Sequence, residues 1–196
     1  MLAPNVTIYF IRHGETDWNA AMRMQGQRDI PLNETGRAQA ARNGRGLHES
    51  ITNPDLYDYV ASPLIRARET MEIVRGELGL PAAEYRTEPI LKEIHFGEWE
   101  GFTWEELRAK APEAIDARFD DPWNCTSPGG ESYAMLSKRA EKWLISVKCD
   151  TVVVSHGGVS RCLRGLLLGL DHNEIPHLPV PQDQFLQING NGLEWI

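Results

Sequence analysis

The chain has 196 residues, of which 41% are hydrophobic and 24% are charged, and its formal net charge at pH 7 is -8. This composition is typical of a globular protein, and no apolar run approaches the roughly 20 residues that a membrane-spanning helix needs. The acidic balance disfavours a nucleic-acid polymer as partner, because duplex binding depends on lysines and arginines laid along phosphates. A small anionic ligand stays compatible with this charge if arginines are concentrated locally.

The N-terminal sequence and the cysteines bear on the cellular compartment. The first residues, MLAPNVT, lack the basic and apolar regions of a signal peptide, so we expect no export. Cys125, Cys149 and Cys162 show no CxxC spacing, which argues against a disulfide framework or a zinc site and fits a reducing compartment. We therefore expect a cytoplasmic protein with no membrane partner.

Strand-like and helix-like segments alternate in the first half of the chain. Apolar and β-branched runs predict the strands, and capping residues before Ala-, Gln- and Arg-rich stretches predict the helices. Serine followed by proline is a strong helix start, since serine caps a helix and proline suits its first position. The predicted elements are a strand at 6–11, a helix from a cap at Asn33 or Thr35 to about Leu47, a strand at 56–62, and a helix capped by Ser62 that continues to Leu78.

The same alternation continues to the end of the sequence. A 3.6-residue apolar period from Tyr133 to Val147 predicts an amphipathic helix, and Asn-Gly pairs between two extended runs predict a final hairpin. The predicted elements are an extended piece from Tyr85, a loop with Gly97 and Gly101, a helix at 103–119, a loop at 120–130, a helix from 132, a strand at 151–155, a turn at Gly157 and Gly158, a helix at 159–168, and a hairpin at 185–196.

This order of elements predicts an α/β fold with a mainly parallel central sheet that is covered on both faces. The chain length favours one domain over residues 1–196 with one excursion, which we place at about 97–131 as a candidate lid. Ligands of such sheets bind beyond the carboxyl ends of the strands. That edge of the sheet is therefore where a functional site is expected.

Four polar groups suited to phosphate fall at this edge of the predicted sheet. Arg12 and His13 follow the first strand, in FIRHGETDWN at 10–19. Arg66 lies on the first turn of the helix after the second strand, and His156 follows the strand at 151–155. A turn explains Gly14, but it does not need the arginine-histidine pair. The coincidence of the four groups predicts a phosphate site.

Four sequence blocks resemble those of a known family. They are RHGETDWN at 12–19, SPLIRARET at 62–70, LKEIHFGEWEG at 91–101 and VVVSHGG at 152–158. In this order they resemble the histidine phosphatase superfamily, also called the phosphoglycerate mutase-like family, over nearly the whole chain. The resemblance implies a three-layer α/β/α sandwich, a phosphohistidine intermediate, and no metal or organic cofactor.

The chemistry of phosphoryl transfer suggests a role for each group. A phosphoryl group in transfer spreads negative charge over its oxygens, so it needs fixed positive donors and an in-line nucleophile. Arg12 and Arg66 are the candidate phosphate donors, since a guanidinium stays charged and can bind two oxygens. His13 is the candidate nucleophile, because a neutral imidazole attacks phosphorus well near pH 7. His156 would donate a hydrogen bond to the phosphoryl group.

Glu93 is the candidate general acid and base. An alkoxide is a poor leaving group, so a carboxylic acid must protonate it and then, once ionised, deprotonate the attacking water. Asn19 and the amides near Gly14 and Gly157 are further candidate phosphate donors. The expected substrate is a small phosphorylated metabolite, and a homodimer is left open as an assembly.

Ordinary structural interpretations exist for several of these residues. Arg66 could pair with Glu69 or Glu72 on a helix surface. Glu93 lies among other acids, where a solvated face is the default, and only its place in LKEIHFGEWEG favours a role. We interpret His95 as structural or as part of the pocket rim, because the mechanism does not need it.

Three other functions fit the sequence less well. The segment at 158–162, GVSRC, lacks the final glycine of the GxSxG nucleophile elbow of α/β-hydrolases. Gly44 and Gly46 lie inside a helical pattern, so they do not form a dinucleotide-binding fingerprint. A degenerate family member would only bind a phosphorylated ligand or a partner protein. Loss of a catalytic residue would indicate such a member, but all four are present: His13, Arg66, Glu93 and His156.

The harder choice is between a phosphatase and a cofactor-dependent phosphoglycerate mutase. A mutase must hold both ends of a bisphosphate intermediate, so its lid needs extra positive charge. Residues 97–131 contain nine acids against three basic residues, a net charge of -6. We therefore expect a phosphomonoester hydrolase, although Arg23, Arg28 or Arg108 could grip a second anion.

Overall fold

The computed structural model describes residues 5–196. Within this range no helix is both long and apolar enough to cross a membrane. The strands are β1 (Ile8–Arg12), β2 (Asp58–Ala61), β3 (Arg86–Thr87), β4 (Thr151–Ser155), β5 (Phe185–Asn189) and β6 (Gly192–Trp195). The helices are α1 (Asp17–Ala20), α2 (Glu34–Ser50), α3 (Ile65–Glu77), α4 (Trp104–Lys110), α5 (Pro112–Asp120), α6 (Tyr133–Ser146) and α7 (Gly157–Leu168). Short 3-10 helices occupy Pro54–Leu56, Pro89–Leu91, Gly97–Trp99 and Ile175–His177.

The six strands form one sheet in the order β3-β2-β4-β1-β5-β6. The pairs β2 with β3, β2 with β4 and β1 with β4 are parallel, whereas β5 is antiparallel to both β1 and β6. The predicted hairpin therefore adds two antiparallel strands to a parallel sheet. Arg12 of β1 is level with Ser155 of β4, so the residues that follow these two strands emerge side by side. The predicted α/β fold with a mainly parallel sheet is confirmed.

Each face of the sheet has its own core, because successive strand residues point to opposite sides. Ile8 and Phe10 of β1 belong to the core that also contains residues of α6 and α7. Tyr9 and Ile11 belong to the core that contains residues of α2 and α3. Two helical layers thus cover the sheet, which is the expected three-layer sandwich.

The predicted start of α3 is wrong by two residues. The helix begins at Ile65 with Leu64 as its N-cap, and Ser62 does not cap it. The Ser62 hydroxyl instead lies 2.7 Å from His156 Nε2, a residue 94 positions further along the chain. The amide of Ile65 donates to Asp29 Oδ1 at 2.6 Å. Long-range contacts therefore replace the local cap that the sequence suggests.

Two other predicted elements also differ from the structure. The helix predicted at 103–119 is two helices, because Pro112 at the first position of α5 cannot continue α4. The turn predicted at Gly157 and Gly158 is the first turn of α7, with His156 as the N-cap. A Cβ on Gly158 would clash with Glu93, so the glycine allows close packing of a helix against the site.

Residues 97–131, which we call the lid segment, have a small core of their own. Buried Trp99, Leu107 and Ile115 pack together with Met24 in this core. Trp123 of the lid segment belongs instead to the core that contains α6 and α7, so the segment is joined to the sheet at this point. Its role as a lid, like the single-domain organisation, stays a prediction.

Candidate active site

The ends of β1 and β4 bring two histidines together. The amide of His13 donates to Ser155 O at 2.9 Å, which continues the pairing of the two strands by one residue. The rings of His13 and His156 have centroids 5.1 Å apart. Arg66, on the first turn of α3, donates from Nε to His13 Nε2 at 3.2 Å. These three residues therefore form one cluster at the sheet edge where a site is expected.

His13 is held in one tautomer and one charge state. Its Nδ1 lies 2.7 Å from Gly14 O, and because a carbonyl oxygen only accepts, Nδ1 must carry the proton. Nε2 then carries no proton, and its electron pair accepts the hydrogen bond from Arg66 Nε. Burial, reinforced by the positive charges of Arg66 and Arg12, holds the pKa of His13 well below its usual value of 6.5. His13 is therefore a neutral imidazole at pH 7, the form that can attack phosphorus.

Arg66 is fully buried and forms no ion pair within residues 5–196. Its Nη1 donates to Arg28 O at 2.7 Å, and its Nη2 donates to Gly26 O at 2.8 Å. Neither Glu69 nor Glu72 pairs with it, so the interpretation of Arg66 as a helix-surface residue is wrong. Burial lowers the pKa of Arg66 to about 10, which leaves the guanidinium charged at neutral pH.

Arg12, the last residue of β1, is held in a similar way. Its Nη1 donates to Val180 O at 2.6 Å. Its Nε is buried and has no hydrogen-bond partner in the described part of the chain. Burial lowers the pKa of Arg12 to about 10, so this side chain also keeps its charge. A ligand oxygen is the natural partner for such a donor, because a buried polar group without a hydrogen bond is costly.

His156 is fully buried with one ring nitrogen engaged. Ser62 Oγ accepts weakly from Leu64 N at 3.4 Å and can either donate to His156 Nε2 or accept from it; the case in which it donates leaves the other ring nitrogen to carry the proton. The proton of His156 then lies on Nδ1, a buried atom that has no partner between residues 5 and 196. Burial, with Arg66 as the next cause, holds the pKa of His156 well below 6.5. The ring is therefore neutral and offers one N–H donor.

Glu93 contacts the first turn of α7. Its Oε1 accepts from Ile94 N at 2.9 Å and from Gly158 N at 3.1 Å, whereas Oε2 accepts only from Gly158 N, at 3.2 Å. Gln27 Nε2 and Arg139 Nη2 donate to its backbone carbonyl. The default interpretation of Glu93 as part of a solvated face is wrong, since the side chain is half-buried and anchored.

The three further candidate phosphate donors differ in whether their N–H groups already donate a hydrogen bond within the protein. Asn19 Oδ1 accepts from Gln182 Nε2 at 3.3 Å, and no hydrogen bond within residues 5–196 uses Asn19 Nδ2. The amide of Gly157 is the first of α7, where a helix leaves its amides without intrahelical partners. The amide of Gly14 already donates to Thr70 Oγ1 at 3.1 Å. Asn19 and Gly157 therefore have donors available, and Gly14 does not.

Sequence reasoning missed Arg161, which lies one turn after Gly157 on α7. Its Nε donates to Leu178 O at 2.8 Å and its Nη1 donates to Tyr133 Oη at 3.3 Å. Arg161 Nη1 lies 3.5 Å from the point where a Cβ on Gly157 would be, and Arg12 Nε lies 3.6 Å from the same point. The spacing of four residues from Gly157 is the signal that could have found it.

His95 contacts acids rather than the histidine cluster. Its Nε2 lies 3.6 Å from Glu100 Oε1, and its amide donates to Glu131 Oε2 at 3.0 Å. These contacts fit a structural role. Within the described residues, no group of three or more His, Cys, Asp and Glu side chains could hold a metal ion.

The chain belongs to the histidine phosphatase superfamily. The family model described as "Histidine phosphatase superfamily (branch 1)" matches residues 8–195, a range that contains every candidate site residue. Members of this superfamily are enzymes, and the chain is a phosphoryl-transfer enzyme of the histidine phosphatase and phosphoglycerate mutase-like class.

Three similar proteins show the range of names within this class. One, from Photorhabdus laumondii, is named "Probable phosphoglycerate mutase GpmB"; it is 34% identical over 83% of this chain and 75% of its own length. A metal-independent phosphoserine phosphatase from Arabidopsis thaliana is 36% identical over 80% of this chain and 66% of its own length. The solved structure of a mycobacterial glucosyl-3-phosphoglycerate phosphatase superposes with a TM-score of 0.78 at 30% identity, over 97% of this chain and 96% of the other.

Proposed function

We propose that the chain is a phosphomonoester hydrolase that acts on a small phosphorylated metabolite through a phosphohistidine on His13. The observation that carries the proposal is the state of His13, whose Nδ1–H is bound to Gly14 O and whose unprotonated Nε2 accepts a hydrogen bond from Arg66 Nε. A neutral ring with a fixed tautomer is ready to attack without first losing a proton.

In the first step, His13 Nε2 forms a bond to phosphorus while the ester P–O bond breaks. Arg12, Arg66 and the Nδ1 proton of His156 stabilise the negative charge on the phosphoryl oxygens. Glu93 gives a proton to the departing alkoxide, so the product alcohol leaves neutral. Glu93 Oε2 suits this role because only one backbone amide engages it.

In the second step, water attacks the phosphohistidine. Glu93, now ionised, accepts the proton of the water as the new P–O bond forms and the N–P bond breaks. Inorganic phosphate leaves, His13 returns to its neutral form, and Glu93 is protonated again. Asn19 Nδ2 and the amide of Gly157 are further donors for the phosphate oxygens.

Similarity alone leaves hydrolysis and mutase activity open, because the relatives carry names of both kinds. The side-chain contacts favour hydrolysis. A mutase must also hold the second phosphoryl group of a bisphosphate, a task for basic residues in and near the lid segment. The three arginines considered for that task are each bound to a carboxylate: Arg23 to Glu106 at 2.7 Å, Arg28 to Glu100 at 3.4 Å and Arg108 to Asp116 at 3.1 Å.

A coupled assay tests this proposal. The purified chain is incubated in EDTA with p-nitrophenyl phosphate or with 3-phosphoglycerate, with and without 2,3-bisphosphoglycerate. We expect release of inorganic phosphate that does not depend on the bisphosphate. Rapid formation of 2-phosphoglycerate that requires the bisphosphate, with little phosphate release, would show a mutase instead.

A further inference from the structure

Arg161 is a guanidinium without a carboxylate partner beside the phosphate-binding residues. It forms no ion pair within residues 5–196, and neither do Arg12 and Arg66. Its contacts use only Nε, bound to Leu178 O, and Nη1, bound to Tyr133 Oη. Nη2 has no hydrogen bond within the described range, and unlike Arg12 Nε it is not fully buried. The protein thus holds Nε and Nη1 of the guanidinium, and Nη2 remains available to a ligand.

The position of Arg161 relates it to the leaving group rather than to the phosphoryl group alone. Its guanidinium and that of Arg12 lie beside the same point next to Gly157, where a side chain on residue 157 would contact both. The next amide, of Gly158, holds the Glu93 carboxylate. Because Glu93 protonates the departing oxygen in the proposed mechanism, the rest of the alcohol must extend from the region where Glu93 and Arg161 flank the start of α7.

Tyr133 fixes Arg161 in this place. The tyrosine is buried, and its ring is contacted by Trp123 and Arg118 from the lid segment. Burial raises the pKa of Tyr133 above its usual value, so its hydroxyl stays protonated and neutral. Tyr133 therefore orients Arg161 without cancelling its charge.

The positive charges of the three arginines Arg12, Arg66 and Arg161 favour a substrate with a second negative group. When Glu93 carries the proton for the leaving group, Arg12, Arg66 and Arg161 are guanidinium groups of this cluster without a carboxylate partner within residues 5–196, and both histidines are neutral. A phosphate dianion balances two of these three charges. A further negative group on the substrate would balance the third, and a guanidinium matches the geometry of a carboxylate.

On the basis of the proposed function, we propose that Arg161 forms a subsite for a carboxylate on the alcohol part of the substrate. The subsite selects phosphomonoesters of hydroxy acids over phosphomonoesters of neutral alcohols. Arg161 acts on substrate preference, and Tyr133 is the residue that positions it.

The test uses two ligands that differ only in the group that Arg161 would bind. D-3-Phosphoglycerate and glycerol 3-phosphate share a three-carbon skeleton and a terminal phosphate, but one ends in a carboxylate and the other in a hydroxymethyl group. We expect kcat/KM to favour the carboxylate by about tenfold or more, as for one charge-assisted hydrogen-bonded pair, mainly through KM. In Arg161→Met this preference should fall to near one, and Arg161→Lys should restore part of it.

Arg164→Met is the matched control. Arg164 also lies on α7 and also donates to a backbone carbonyl of the following loop, from Nη1 to Pro179 O at 2.6 Å. Its loss should leave the preference between the two ligands unchanged. If Arg161→Met lowers kcat/KM equally for both substrates, or if Arg164→Met abolishes the preference as well, Arg161 only supports the loop and the subsite is wrong.

Equilibrium binding separates failure of the subsite from failure of the proposed function. Both ligands are titrated calorimetrically into the His13→Ala protein, with and without Arg161→Met. Preference for 3-phosphoglycerate that depends on Arg161 supports the subsite even if the wild-type chain releases no phosphate, an outcome that would reject hydrolysis alone. Equal affinity for the two ligands in the His13→Ala protein would overturn the subsite whatever the reaction.

Discussion

Arg66 at the sheet edge and Arg108 in the lid segment are held in opposite ways. Arg66 is fully buried, and its fork is bound by the carbonyls of Gly26 and Arg28. Arg108 is exposed and lies 3.1 Å from the carboxylate of Asp116. A carbonyl fixes a guanidinium and leaves its full charge, whereas a carboxylate cancels that charge. The protein thus has available positive charge at the sheet edge despite a net charge of -8.

The burial of the Arg66 charge is unfavourable unless an anion is bound beside it. Moving an unpaired charge out of water is unfavourable, and burial lowers the pKa of this guanidinium to about 10. Such an arrangement is reasonable where a bound anion supplies the missing negative charge. The lid segment contains no comparable arrangement for Arg108, whose ion pair lies in water and contributes little.

The comparison predicts very unequal effects for two matched substitutions. Arg66→Met should lower kcat/KM for p-nitrophenyl phosphate by about a thousandfold or more, because arginines that neutralise a transferring phosphoryl group contribute on that scale. Arg108→Met should change it by less than about twofold, since an exposed pair is worth little. Steady-state kinetics on both variants measures the difference.

Folding controls are needed because Arg66 is buried. Near-UV circular dichroism should show that both variants keep the native packing, and Arg66→Lys should retain charge but lose the fork that binds two carbonyls. Comparable kinetic losses in Arg66→Met and Arg108→Met would contradict the contrast between the two regions, as would full activity in Arg66→Met.

The sequence predicts the parts of this account that depend on local patterns. The strands, α2, α6 and the final hairpin lie where apolar periodicity and capping residues place them. The coming together of His13, Arg66 and His156 follows from the rule that parallel strands end at one edge. The break between α4 and α5 could also have been predicted, because Pro112 disfavours a continuous helix.

The remaining features depend on contacts between distant segments. Ser62 is a good cap by composition, but His156 occupies its hydroxyl. Gly158 suggests a turn, yet it lies in the first turn of α7, where the absence of a Cβ leaves room for the distant Glu93. The backbone carbonyls that hold Arg66 and Arg12 have no sequence signature at all. For the same reason Arg161 was missed, since only the folded chain brings it beside Arg12.

A smaller effect is expected on stability at low pH. The pKa values of His13 and His156 are well below 6.5 in the folded chain, so the unfolded chain binds more protons below that pH. The contribution of the two neutral histidines to the free energy of unfolding is therefore fully present above pH 6.5, and it is lost as the pH falls below that value. Each buried histidine should lower the free energy of unfolding by up to about 1.4 kcal/mol per pH unit. Urea unfolding at pH 7.5, 6.5 and 5.5 measures this slope.

His156→Gln and His48→Gln provide the comparison for the pH effect. Glutamine does not titrate, so His156→Gln should reduce the slope below pH 6.5. His48 is exposed on α2, and His48→Gln should keep the wild-type slope. Equal slopes for all three proteins would show that burial of His156 does not control the acid sensitivity.

The most direct test of the central claim is to trap the phosphorylated enzyme. Glu93→Gln protein, in which water activation is impaired, is mixed with radiolabelled p-nitrophenyl phosphate, whose leaving group needs no protonation. After a rapid alkaline quench, peptide mapping should place the label on the nitrogen of His13, and the label should be lost in acid and retained in base. The same experiment with His13→Ala added should give no label. An acid-stable phosphoprotein, or label on a residue other than His13, would contradict the account.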